Sequence, residues 1–386
     1  LTILVGMADG VMVASVGEAA ISGVSLVDMI AAVILVLFAA LATGGAVVTS
    51  QFLGARNLEK ARRSAGQLIL MATSLGVLIM LPCLVFSEQL LMLCFGAIEA
   101  DVKAAGLIYL RVTAFSFPFL ALYNAGAAIY RSVGNSKASM QASMLMNVIN
   151  VAGNAFCIFV LKWGVAGVAI PTLISRMAAG IYMMVKCAHP ELLLRPTRQG
   201  LTSIDQQMMG SILRIGVPSA CENCFFSLGR LIVASMITLF GTSQVSANAV
   251  AGNIDRLGII IGQAMGLAMV TVVGQCVGAR DYEAARYYTW KIIRWSYVAI
   301  FFSCGEHRAD HGRAELLQKI AQGPYIKHID MYHKELTSFR THIEQCLLDD
   351  RHLSTLRRLI HNHLFTSFKK ISKNIAVCFS ADKTSA

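Results

Sequence analysis

Apolar runs of about twenty residues, the length that crosses a bilayer core of about 30 Å, recur through most of the chain between short polar stretches. The pattern predicts helices at 1–15, 19–50, 64–86, 104–130, 138–161, 166–187, 208–240, 243–274 and 284–303. The connections alternate in charge. One set holds Arg56, Lys60, Arg62 and Arg63, then Arg131 and Lys137, then Lys186, Arg195 and Arg198, then Arg280 and Arg286. The other set holds Lys103 and Lys162 beside Glu18, Glu88, Glu99 and Asp101. Basic connections stay in the cytoplasm during insertion, so the first set is expected there.

The pattern also repeats once, at an offset of 224 residues. Gln51-Phe-Leu-Gly-Ala-Arg-Asn-Leu-Glu-Lys-Ala-Arg62 returns as Gln275-Cys-Val-Gly-Ala-Arg-Asp-Tyr-Glu-Ala-Ala-Arg286, and Gly17 returns as Gly241 without a gap. An even number of predicted helices separates the copies. The two halves therefore point the same way across the membrane, related by an axis along its normal, as in transporters built from parallel repeats.

Composition agrees. Hydrophobic residues make up 56% and charged residues 14% of 386, and the mean hydropathy is +0.61, which favours lipid over water as the solvent. The net charge of +11 is spread in short clusters between apolar runs, the positive-inside pattern, so no nucleic-acid partner is expected. Ten cysteines lie mostly within apolar segments and lack the spacing of a disulfide framework. Cys221 and Cys224 form a C-x-x-C, but it opens an apolar run after Pro218 with no thioredoxin-like strand beside it. No phosphate loop, zinc motif or nucleophile triad is found in the apolar part, so an enzyme is not expected.

The expected organisation is a first six-helix lobe at 1–188 with a truncated first helix, a cytoplasmic linker at 189–207, the first three helices of a second lobe at 208–302, and an unrelated polar tail at 303–386. By the 224-residue offset, the apolar run 66–86 predicts a membrane run over 290–310, yet Glu306, His307, Arg308 and Asp310 stand there. Eight of the nine histidines and thirteen of the 33 Lys and Arg residues lie beyond 303. The expectation is a frameshift or a fusion, with a soluble amphipathic appendage as the alternative. His361 and His363 near His352 read as surface histidines rather than a metal site.

Polar residues of the first lobe converge on one depth. At about 1.5 Å per residue, Asp9 lies about 12 Å below the outer end of its helix, Asn154 about 15 Å, Thr172 about 12 Å and Asp28 about 16 Å. Asn147, Asn150 and Asn154 share one helical face by their i, i+3, i+7 spacing. An ionised carboxylate at such depth costs a few kcal/mol, about 2.5–3.5 on insertion scales, so a proton, a cation or a partner should neutralise it. No Lys or Arg precedes Arg56 to serve Asp9 or Asp28 locally. The oxygen-rich set suits sodium and the desolvated Asp9 suits a proton. The plainer reading is that the asparagines are hydrogen-bonding glue between helices. In the second lobe Val233 stands where Asp9 does in the first, so coupling is expected in the first lobe. Glu222, Asp255 and Arg256 also fall within predicted spans and are candidates for the substrate path.

Several motifs carry a resemblance. Gly6-Met-Ala-Asp9 through Gly17, the Gln-x-x-Gly-Ala-Arg turns, Arg131-Ser-Val-Gly134-Asn-Ser-Lys137, Trp163-Gly-Val-Ala-Gly167 and Ile215-Gly-Val-Pro218 resemble the multidrug and toxic compound extrusion (MATE) family over residues 1 to about 302. The resemblance implies an all-α polytopic membrane protein, a two-lobe parallel-repeat bundle of which about nine of twelve helices are present. It implies a monomer in the cell (inner) membrane, with no organic cofactor, that exports small organic and often cationic compounds by antiport against protons or sodium. It also implies a cation site of Asp9, Asn150, Asn154 and Thr172, although family members place an Asp where Asn154 stands. A flippase for lipid-linked precursors and a non-transporting remnant with a soluble tail are the alternatives. Basic residues in a central cavity would mark the flippase.

Overall fold

The computed structural model describes residues 12–13, 15–95, 99–238 and 262–305. The chain divides into two units, Leu1–Cys304 and Gly305–Ala386; the polar tail from 306 onward lies outside the described residues. The helices are α1 (Glu18–Gly54), α2 (Leu58–Val85), α3 (Ser87–Phe95), α4 (Ala100–Ala114), α5 (Phe117–Ser132), α6 (Lys137–Ala155), α7 (Ala166–Ala188), α8 (Arg198–Thr202), α9 (Gln206–Thr238), α10 (Gly262–Gly278) and α11 (Tyr282–Gly305). Among the described residues there is no strand.

Four of these helices are long and apolar enough to cross a membrane, and the bent pair α4–α5 makes a fifth span. The sequence predicts one helix over 104–130, but the chain bends by 49° between Ala114 and Phe117. Pro118 follows in the first turn of α5, where its missing N–H costs nothing, and it offers no donor to carry the α4 hydrogen-bond ladder across the break. A second departure is α3, where a loop is expected; its Ser-Glu-Gln start hides a leucine-rich turn. The segment 138–161 is helical as expected, but ends in a π-helical turn, Phe156–Val160.

The repeated Gly-Ala-Arg motif folds the same way twice. After α1, the N–H groups of Ala55, Arg56 and Asn57 donate to the carbonyls of Gln51, Leu53 and Phe52; after α10, those of Ala279, Arg280 and Asp281 donate to Gln275, Val277 and Cys276. Arg56 and Arg280 both sit in the left-handed region, at φ 56° and 61°, a geometry that closes a helix C-terminus. Asn57 Oδ1 then caps α2 by accepting from Lys60 N, and Asp281 Oδ1 caps α11 by accepting from Ala284 N.

The two copies also meet. A Cβ added at Gly54 would lie 1.9 Å from the Gln275 carbonyl oxygen, and one at Gly278 would lie 1.9 Å from that of Gln51. Reciprocal contact of equivalent residues is what a twofold axis running between α1 and α10 produces. Beside it, Gln275 Nε2 donates to Ser132 O at 2.8 Å and Thr271 Oγ1 to Arg131 O at 3.0 Å. These contacts all lie at the arginine-rich end.

The first lobe packs α2 against α5, α5 against α7, and α6 against α7, with α1 in contact with α2, α4 and α5. Phe38, Leu68, Phe117, Ile129, Met183 and Leu194 are among the fully enclosed side chains of its core.

Candidate cation and substrate site

Gly153 of α6 lies against Pro171 of α7; a Cβ there would come within 2.7 Å of the proline ring. That close approach brings the polar faces of the two helices together. Asn150 Nδ2 donates to Thr172 Oγ1 at 3.1 Å, Thr172 Oγ1 donates back to Val168 O at 2.9 Å, and Asn154 Nδ2 donates to Asn150 Oδ1 at 3.4 Å. Ser175 Oγ continues the column to Thr172 O. All of these side chains are buried, Asn154 completely. Asn154 immediately precedes the last residue of α6 before the π-helical turn, an irregularity that recurs at functional sites. Asn147, one turn away on the same face, is buried with its Nδ2 unpaired among the described residues.

Asn150 and Asn154 share a helical face, as their spacing predicts, and the packing of α6 on α7 brings that face to Thr172. Asp28 joins the lobe differently. Its side chain is exposed rather than enclosed, and it accepts a 3.3 Å hydrogen bond from Tyr109 Oη on α4. Tyr109 itself is buried and packs with Met12, Val13, Val24 and Val168. Glu222 is exposed on α9. Asp9, Asp255 and Arg256 lie outside the described residues.

Three residues that sequence reading passed over emerge here. Tyr109 carries no charge to mark it. Arg111 and Arg176 were legible, because an ionisable side chain inside an apolar span is rare enough to flag on its own. Arg111 Nε donates to Ser87 Oγ at 3.1 Å. Arg176 Nη1 donates to Ser116 Oγ at 3.0 Å, and Ser116 Oγ donates to Thr113 O at 2.5 Å. The Arg176 cation thus sits at the C-terminus of α4, where the exposed carbonyls favour positive charge.

The linker of 189–207 is fastened to α2. Gln67, fully buried, donates from Nε2 to Gly200 O at 2.7 Å and Ser203 O at 2.6 Å, and its Oε1 accepts from Asp205 N at 3.1 Å. Asp205 caps α9 by accepting from Met208 N, while its other oxygen lies 3.1 Å from Arg63 Nε. Arg62 Nε donates to Leu193 O at 2.9 Å. At the opposite end of the bundle, Lys103 Nζ donates to Glu88 Oε1 at 2.6 Å and holds that carboxyl below its ordinary range.

An all-α bundle of apolar helices with an internal parallel repeat and a polar cluster inside one lobe defines a polytopic membrane protein of the transporter class. The family model described as MatE matches residues 1–156 and 218–304. The chain belongs to the MatE family, the multidrug and toxic compound extrusion transporters that its motifs resemble; it is a multi-pass protein of the cell membrane and not an enzyme. It is similar to the uncharacterized transporter YisQ of Bacillus subtilis (strain 168), 26% identical over 300 residues, 77% of this chain and 65% of that one. It is also similar to the probable multidrug resistance protein NorM of Thermotoga maritima, 28% identical over 291 residues, 73% of this chain and 61% of that one. The chain thus spans somewhat less than two thirds of these relatives. Among solved structures, MATE in the bent conformation matches with a TM-score of 0.71 at 23% identity, over 78% of this chain and 67% of that one. An outward-facing MATE family transporter of the MOP superfamily matches with 0.71 at 22% identity and the same coverage.

Proposed function

We propose that this protein acts as a cation-coupled antiporter that exports drugs and other small organic, often cationic, compounds by alternating access, with a proton or sodium ion as the coupling ion and no organic cofactor. The observation that carries the reading is the buried cluster of Asn150, Asn154 and Thr172 joining α6 to α7. Its polar groups are oxygen and amide, the donor set of a hard cation rather than of a soft metal. Asp9 supplies the charge in this reading, as the family's motif implies, and Tyr109 ties Asp28 to the same lobe.

Coupling requires that the cation favour one conformation and the exported compound the other. The reciprocal contacts of Gly54 and Gly278 and the linker clasp on Gln67 close the lobes at the arginine-rich end, the cytoplasmic end by the positive-inside rule. That arrangement supports an outward-facing state, with the substrate held between lobes and Glu222, Asp255 and Arg256 along its path.

The test is efflux of an amphipathic cationic dye from proteoliposomes under an imposed proton or sodium gradient. Export should follow one of the two gradients and fall about tenfold or more in Asp9→Asn, the cost of one lost charge-assisted interaction. Efflux indifferent to both gradients would overturn the proposal.

A further inference from the structure

The internal repeat makes each surface of the first lobe a template for the second, and one surface departs from its template. On α2 the face of Arg62, Arg63, Gly66 and Gln67 is covered by the linker. A Cβ at Gly66 would lie 2.7 Å from the Gly200 carbonyl carbon, so only glycine admits the linker backbone there. The 224-residue offset places Trp290 of α11 at the position of Gly66, Lys291 at that of Gln67, and Arg294 at that of Leu70. An indole cannot occupy the space that a backbone fills on α2. Lysine has no acceptor to reproduce the Gln67 bond with a backbone N–H. This face has therefore lost the chemistry that clasps a polypeptide.

It has gained another. Arg286, Trp290, Lys291, Arg294 and Trp295 line a shallow groove of about 610 Å³ along α11. Trp290 is 57% and Trp295 60% exposed. Lys291 Nζ lies 5.5 Å from the centre of the Tyr287 ring, which steadies the cation without neutralising it. Among the described residues, Glu283 is the only acidic side chain lining the groove, against three basic ones. Helical side chains lean toward the helix N-terminus, so Lys291 and Arg294 reach back toward the arginine-rich end, where α11 begins. Arg286 lies one turn nearer that end than Trp290, and Lys291 and Arg294 alternate with the indoles along the helix, the mixture of Trp and basic residues found in membrane-interface anchors.

We propose that this face of α11 binds the phosphate headgroup of an anionic phospholipid, with Arg286, Lys291 and Arg294 on the phosphate and Trp290 and Trp295 against the glycerol and upper acyl region. The site belongs to the second lobe alone, because its counterpart on α2 is occupied by the linker. Its function is to anchor the arginine-rich end of α11 in the leaflet through which the lobe moves.

Trp163→Phe leaves Trp290 and Trp295 as the reporting indoles of the full chain, since the sequence holds three tryptophans. The variant is placed in nanodiscs of phosphatidylcholine with equal mole fractions of brominated phosphatidylglycerol or brominated phosphatidylcholine. The expected result is stronger quenching by the brominated anionic lipid, reflecting local enrichment of about fivefold per basic side chain. The excess should vanish in Arg286→Gln/Lys291→Gln/Arg294→Gln while quenching by brominated phosphatidylcholine persists, which also reports that the variant remains folded in the bilayer. Equal quenching by both lipids would overturn the proposal by removing headgroup selectivity. Absence of quenching by either would overturn it in favour of a protein segment covering the groove.

Discussion

Tyr109 Oη donates a 3.3 Å hydrogen bond to Asp28 Oδ1, linking α4 to α1 across 81 positions of sequence. Asp28 is exposed and Tyr109 buried, so the bond joins an accessible carboxylate to the lobe interior. A hydrogen bond to an ionised group is worth about 1.5–3 kcal/mol. Tyr109→Phe keeps the packing and removes the donor, and is expected to slow gradient-driven export about tenfold in the proteoliposome assay with little change in protein yield. Unchanged export would leave the pair a structural contact only.

The bond between Asn150 and Thr172 is open to a double-mutant cycle. Interhelical hydrogen bonds within membranes contribute about 0.6 kcal/mol on average and up to about 1.7. Asn150→Ala, Thr172→Val and the double variant should show a coupling in that range by equilibrium unfolding in mixed micelles. If these residues act only as helix glue, export should fall in proportion to stability. A cation site instead predicts a loss of gradient dependence in variants that remain folded.

The axis contact admits no side chain on either copy. Gly54→Ala and Gly278→Ala each place a methyl within 1.9 Å of a facing carbonyl oxygen. Overpacking of this kind costs about 1–3 kcal/mol. Each variant should lower the melting temperature in detergent, whereas Gly134→Ala, where a Cβ meets nothing within 4 Å, would report only the strain of its φ of +77°.

Gln67 holds three backbone groups of the linker region, and Gln67→Leu removes all three bonds, the one to the buried Gly200 carbonyl alone costing about 1–3 kcal/mol. Opening of the linker should rise about tenfold or more. The measurement is limited trypsin cleavage after Arg195 and Arg198, which should accelerate relative to cleavage elsewhere in the chain.

Lys103 lowers the Glu88 carboxyl below its ordinary value of 4.5, first through the hydrogen bond and then through its charge. A lowered carboxylate contributes stability above the unfolded value and loses it as pH falls through the folded one. The pair is exposed, so the effect is small and sensitive to salt. Lys103→Met should melt slightly below the parent at pH 7, and the gap should close only below pH 4.5.

The sequence by itself determined the membrane setting, the repeat and the class of protein. Apolar length fixes which segments can span lipid, and a duplicated motif in register fixes how the halves are oriented, because both depend only on order along the chain. The spacing of Asn147, Asn150 and Asn154 was enough to put them on one face, since helical period is a local property. Tertiary structure decided what those faces meet. That Asn150 reaches Thr172 depends on Gly153 lying against Pro171, and that Asp28 answers to Tyr109 depends on how α1 crosses α4. The break before Pro118, with Arg176 at its carbonyl end, also needed a second helix to be understood. Contacts between distant segments arise from packing whole helices into one volume, and no periodicity within a single helix encodes its neighbour.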